Sequence, residues 1–168
     1  PNWNKTITLS RANPRANVLM LHGLSDSPYS MRTLAERLNR SGCAVTVLRL
    51  PGHGTIPSGL TRVRWQDFTA AVRLAASELT KKSPPATPFY IVGYSNGAAL
   101  AVEYSLAAML GEQVHRPDGV FMISPALSVS PMAALAKWNL LLAHLPGLEK
   151  LAWLSIEPEY DPYKYNSF

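Results

Sequence analysis

Between Asn17 and Ile123 short apolar runs alternate with longer stretches of helical periodicity, and few folds accommodate that order. The runs at 17–21, 44–50, 89–92 and 119–123 are four to seven residues long and rich in Val, Leu and Ile. That length suits strands rather than helices. A weaker alternation over 5–9 predicts an edge strand ahead of them. Ser27 followed by Pro28 predicts a helix start, with a side-chain oxygen for orphan amides and proline at the first position. Met31, Leu34, Ala35 and Leu38 then share one face, and Ser41-Gly42 ends the segment. After the Pro51-Gly52-His53-Gly54 break and a loop, Phe68, Val72, Ala75 and Leu79 predict a second helix starting near Trp65. A proline-rich connection at 81–88 follows, and an Ala-rich run over 98–110 predicts a third helix stopped by Gly111. Parallel strands need crossovers of this length, so the expected class is α/β: a mostly parallel sheet with helices on both faces.

After Ser124-Pro125 the pattern changes to leucine-rich helical stretches at 132–145 and 148–156, divided by Pro146-Gly147. No further strand is evident, and the tail at 157–168 is acidic, Tyr-rich and irregular. The expected organisation is a core over 1–125 and a helical cap or lid with its return segment over 126–168, in one structural domain. With 168 residues, 47% apolar and 16% charged, the chain is globular rather than disordered or coiled-coil. No apolar run reaches the roughly 18 residues of a membrane span. The net charge of +5 comes from scattered residues such as Arg11, Arg15, Arg32, Arg37 and Arg40. No helix-turn-helix, zinc-ligand or aromatic-basic pattern accompanies them, so no nucleic-acid partner is expected. The single cysteine, Cys43, allows no internal disulfide and no metal site by itself, and a buried thiol is expected. The chain starts at Pro1 rather than Met, so either residues have been removed or the sequence begins inside a longer gene; a cytoplasmic protein and an exported one with its signal removed both fit, with a lean toward export.

The chemistry concentrates at Gly93-Tyr94-Ser95-Asn96-Gly97. A Gly-x-Ser-x-Gly pentapeptide arises by chance, but this one leaves an apolar strand and opens a helix, the setting in which a strained turn lifts the serine oxygen above a sheet. Ser95 is therefore the candidate nucleophile, against the plainer reading of a serine that caps a helix. Gly93 and Gly97 leave room for close backbone approach. Acyl transfer also needs amide donors for a tetrahedral oxyanion. The amide of Asn96, at the helix start, is one candidate. His22-Gly23-Leu24 leaves the first long strand at the same carboxyl edge, making the amide of Leu24 the second. His22 and His53 read as turn histidines that fix loops by hydrogen bonds rather than as proton carriers.

Three motifs now stand in order: Leu21-His22-Gly23-Leu24, Arg49-Leu50-Pro51-Gly52-His53-Gly54 and Gly93-Tyr94-Ser95-Asn96-Gly97. Together they make the chain resemble the monoglyceride lipase, lysophospholipase and bacterial carboxylesterase branch of the α/β-hydrolases, over residues 17–124. The resemblance implies a serine esterase acting through an acyl-enzyme on Ser95. It implies oxyanion amides at Leu24 and Asn96, with His22, Gly23, Gly93, Tyr94, Gly97 and His53 shaping the site. It implies no cofactor and no metal, and a small-molecule or lipid ester as substrate.

The chain departs from that pattern in one respect. A serine needs a base and the base an acid, in the chain order Ser, Asp or Glu, His. Asp118 and His144 satisfy the order but not the geometry: Asp118 enters its strand from the amino edge, and His144 lies in a leucine-rich helix. In the resembled family both partners follow later strands. An excised fragment, one polypeptide of a cleaved pair and a natural truncation all explain the gap, and the second would make another polypeptide a partner. The cap region carries Trp138, Leu140, Leu141, Leu142, Leu145, Trp153 and Leu154; Trp138, Leu141, Leu142 and Trp153 are its candidate pocket residues. They line an acyl pocket, touch a membrane surface, or simply cover the sheet. Peptidase, thioesterase and acyltransferase chemistry use the same nucleophile, and a non-catalytic binding module of the same fold is the alternative from another class.

Overall fold

The computed structural model describes residues 4–54 and 57–127. Five strands and three α-helices alternate in chain order: β1 (Ile7–Leu9), β2 (Asn17–Leu21), α1 (Pro28–Arg40), β3 (Ala44–Leu48), α2 (Trp65–Thr80), β4 (Phe89–Tyr94), α3 (Asn96–Met109) and β5 (Gly119–Ile123). A short 3-10 helix, Pro57–Arg62, sits in the connection read from sequence as a loop. The strands form one sheet in the order β1-β3-β2-β4-β5. β1 is antiparallel to β3, and every other pair is parallel. The expected α/β class is the observed one.

Strand alternation divides the core. Val18, Met20, Val45, Val47 and Val92 point to one face and meet Met31 and Ala35 of α1. Leu19, Leu21, Phe89 and Ile91 point to the other and meet Phe68, Val72, Ala76 and Leu79 of α2 with Leu100, Ala101 and Tyr104 of α3. Each such large side chain contributes about 1.5–3 kcal/mol on burial, which is why the unbroken apolar reading of β2 and β4 specifies central strands. At the far edge, Phe121, Met122 and Ile123 of β5 remain exposed. At the amino edge of β4, Asp118 and Phe89 exchange two hydrogen bonds: Asp118 Oδ2 accepts the Phe89 amide at 2.8 Å, and the Asp118 amide donates to the Phe89 carbonyl at 2.7 Å. Asp118, itself exposed, is thus a clasp between β4 and β5.

Four local expectations are corrected. β3 stops at Leu48 rather than Leu50, because the Arg49 amide donates to Thr6 Oγ1 and the Leu50 amide to His22 Nε2, not to a neighbouring strand. Ser27 does not cap α1 with its hydroxyl, which is buried without a partner among the described residues. Asp26 acts there instead, accepting the Ser27 amide at 2.7 Å and the Ser30 hydroxyl at 2.6 Å. β4 runs through Gly93 and Tyr94 and α3 begins at Asn96, so the five-residue turn contracts to Ser95 alone. Cys43 is part-buried rather than buried, against the α1 side of the core. The cap candidates Trp138, Leu140, Leu141, Leu142, Leu145, Trp153 and Leu154, and also His144, lie outside the described residues.

Candidate active site

Ser95 is the single residue between β4 and α3, with φ 52° and ψ −115°. A side chain at positive φ costs about 1–3 kcal/mol and persists only where the surroundings over-determine it. They do so here. The Ser95 amide donates to the Ile123 carbonyl at 3.0 Å, and its carbonyl accepts the amides of Ala98 at 3.0 Å and Ala126 at 3.2 Å. The glycines make the turn sterically possible. A Cβ on Gly97 would collide with the Leu21 carbonyl, and one on Gly93 would lie 2.5 Å from the Cα of Ala98. α3 therefore starts in backbone contact with the end of β2, and Ser95 stands half-buried at the carboxyl edge of the sheet.

β2 delivers the second loop to the same edge. A Cβ on Gly23 would lie 3.1 Å from the Tyr94 ring and 3.4 Å from Ser95 Cβ, so the turn after His22 passes directly beside the serine. Leu24 follows with an exposed side chain, and among the described residues its amide donates to no backbone carbonyl. The amide of Asn96, in the first turn of α3, has no partner within the helix and lies at its positive end. The fold thus brings the Gly23-Leu24 turn beside Ser95 and the start of α3 at Asn96, with Gly93 and Gly97 allowing the close backbone approach. The side-chain Nδ2 of Asn96 is buried and unpaired among the described residues. Beside Tyr94 a cleft of about 450 Å³ opens between Ser25, Asp26, Ser30, Met31 and Ile123.

Both motif histidines lie under the loop, fully buried. His22 Nε2 accepts the Leu50 amide at 3.1 Å, which leaves the proton on Nδ1, where it donates to the Gly23 carbonyl at 2.8 Å. Burial pushes the His22 imidazole down from 6.5 to about 4; the hydrogen bond to Gly23 and the charge of Asp26 oppose this, and His53 adds to it. His22 is therefore neutral at pH 7 and fully occupied. His53 reaches the Leu24 carbonyl with Nε2 at 2.6 Å and the Pro51 carbonyl with Nδ1 at 3.0 Å. The third described histidine, His115, packs its ring on Phe89, at the opposite edge of the sheet from Ser95. Among the described residues, then, no imidazole stands free beside the serine, and no group of three His, Cys, Asp or Glu side chains forms a metal site. No described helix is long and apolar enough to cross a membrane.

A serine on a strained strand-to-helix turn, flanked by a His-Gly loop at the carboxyl edge of a mostly parallel sheet, defines the α/β-hydrolase class. Residues 12–162 match the family described as Serine aminopeptidase, S33, so the chain belongs to that α/β-hydrolase family, whose relatives here include lipases and esterases. It is 32% identical over 124 residues to the thermostable monoacylglycerol lipase of Bacillus sp. (strain H-257), an alignment that covers 73% of this chain and 45% of the relative. A solved structure of the metagenome-derived lipolytic enzymes LipS and LipT superposes with a TM-score of 0.66 at 31% identity, covering 79% of this chain and 51% of that one. The monoacylglycerol lipase of Paleococcus ferrophilus shares the fold with a TM-score of 0.61 at 22% identity, covering 84% of this chain and 51% of that one. The chain spans about half the length of these relatives.

Proposed function

We propose that this chain carries the nucleophile and the oxyanion hole of a serine carboxylic-ester hydrolase. The observation that carries the reading is the placement of Ser95, at φ 52°, beside the Gly23-Leu24 turn. The Ser95 hydroxyl attacks the ester carbonyl, its proton passes to a base, and the amides of Leu24 and Asn96 hold the oxyanion. The alcohol then leaves and water releases the acid from the acyl-serine. The base and its acid come from outside the described residues, on this polypeptide or on a second one. The lipolytic relatives favour monoacylglycerols and related acyl esters as substrates, and the leucine-rich segment with Trp138, Leu141, Leu142 and Trp153 is the proposed acyl-binding cap.

A second reading has its own observation: His22 and His53 are both committed below the loop, and His115 is at the wrong edge. If no base reaches Ser95, the chain is a binding module of the same fold. Kinetics on monoacylglycerols, p-nitrophenyl esters and aminoacyl anilides, with the protein as its gene encodes it, separate the possibilities. Turnover of the acyl esters that is lost in Ser95→Ala supports the esterase. Preference for the anilides makes it a peptidase, and no turnover of any of them leaves the binding module.

A further inference from the structure

His53 remains unexplained by the chemistry above. It is buried at the end of the Pro51-Gly52-His53-Gly54 turn, on a different connection from both reactive loops. Its ring meets the edge of His22, with centroids 4.8 Å apart and planes at 70°, and faces Phe68 of α2 at 5.9 Å. Its Nε2 reaches the carbonyl of Leu24 at 2.6 Å, the shortest polar contact that ring makes. A carbonyl only accepts, so the proton of this contact sits on Nε2; a second proton, on Nδ1, would be taken by Pro51 at 3.0 Å.

The consequence lies in peptide geometry. The amide of Leu24 and the carbonyl of Gly23 belong to one planar trans unit and point in opposite directions. His22 holds that carbonyl, and His53 holds the next one along the chain, that of Leu24 itself. With two successive carbonyls held by neighbouring imidazoles, the intervening N–H is turned away from the carbonyl that His22 holds, in the loop whose Gly23 lies against Ser95.

We infer that His53 is a positioning residue: it braces the peptide of Leu24 so that the Leu24 amide is preorganised for the oxyanion. This rests on the esterase reading for its catalytic consequence, but the brace itself does not. A preorganised donor acts chiefly on the transition state, so its loss falls on kcat rather than on KM.

The test compares His53→Phe, which keeps a ring against His22 and Phe68 but has no donor, with His53→Gln, which restores one. Both are made in the protein as its gene encodes it. Two readouts are taken: amide hydrogen exchange over residues 22–27, and kcat and KM on a soluble p-nitrophenyl ester. The expected result for His53→Phe is faster exchange confined to that loop and a fall in kcat of about ten- to a hundredfold with KM little changed, with His53→Gln recovering most of both. Unchanged exchange in His53→Phe overturns the inference, and so does an equal loss in the two variants. If the unmodified protein hydrolyses no ester, the esterase reading fails, and the exchange data alone decide the brace. If His53→Phe does not fold, His53→Gln decides: native loop protection and kcat support a hydrogen-bonding role, and their loss overturns it.

Discussion

The amide of Leu50 donates to Nε2 of His22 at 3.1 Å, joining the segment just after β3 to the loop beside Ser95 across 28 residues of sequence. This one bond fixes the tautomer of His22 and leaves Nδ1–H for the Gly23 carbonyl. Protonating Nε2 would break it.

A pH dependence of stability follows. The native imidazole titrates near 4 against 6.5 for the unfolded chain, chiefly through burial. The unfolded state therefore takes up a proton that the native state refuses. The contribution of His22 is complete above pH 6.5, falls as pH drops from there toward 4, and levels off below, for a total on the order of 3 kcal/mol. Urea unfolding from pH 7 to pH 4 of the native protein and of His22→Gln measures it. The native protein loses more stability than the variant over that interval; parallel curves would contradict the account.

Gly97 tests the junction between α3 and β2. The Cβ of Gly97→Ala would meet the carbonyls of Leu21 and His22, both backbone atoms that cannot swing aside. The expected loss is at least about 2 kcal/mol, read as a lowered Tm. Gly111→Ala is the comparison: Gly111 has φ +89° but nothing within 4 Å of an added Cβ, so it suffers backbone strain without collision and loses less.

Ser95→Gly separates stability from activity. Glycine tolerates φ 52° at no steric cost, so the substitution relieves strain at the turn and raises stability by about 1 kcal/mol while removing the hydroxyl. Denaturant midpoints for Ser95→Gly and Ser95→Ala provide the check. Glycine should be the more stable of the two; the reverse order would mean that the turn is not strained.

The order of elements was legible in the sequence because a period of 2 and a period of 3.6 are both local. The runs at 17–21 and 119–123 match observed strands end to end, and of the expected face Met31, Leu34, Ala35 and Leu38, α1 packs all but Leu34, which is exposed. The carboxyl-edge meeting of Gly23 with Ser95 was legible too, since both loops leave parallel strands. What was not legible depends on partners distant in sequence. The exception is local, where Asp26 rather than its neighbour Ser27 is the polar group at the start of α1; Thr6 takes the Arg49 amide and ends β3 early, and Asp118 clasps Phe89. The brace under Leu24 belongs to the same class: His53 stood out as a turn histidine between glycines, but nothing local names the carbonyl it holds, 29 residues earlier.

An activated serine is trapped covalently by a fluorophosphonate probe, so such labelling shows whether Ser95 is the nucleophile. The protein as its gene encodes it is treated with the probe, every polypeptide present is weighed intact, and the modified residue is mapped. Stoichiometric, time-dependent modification at Ser95 that is absent in Ser95→Ala is the predicted result. A folded protein whose Ser95 stays unmodified would contradict it and leave the binding module.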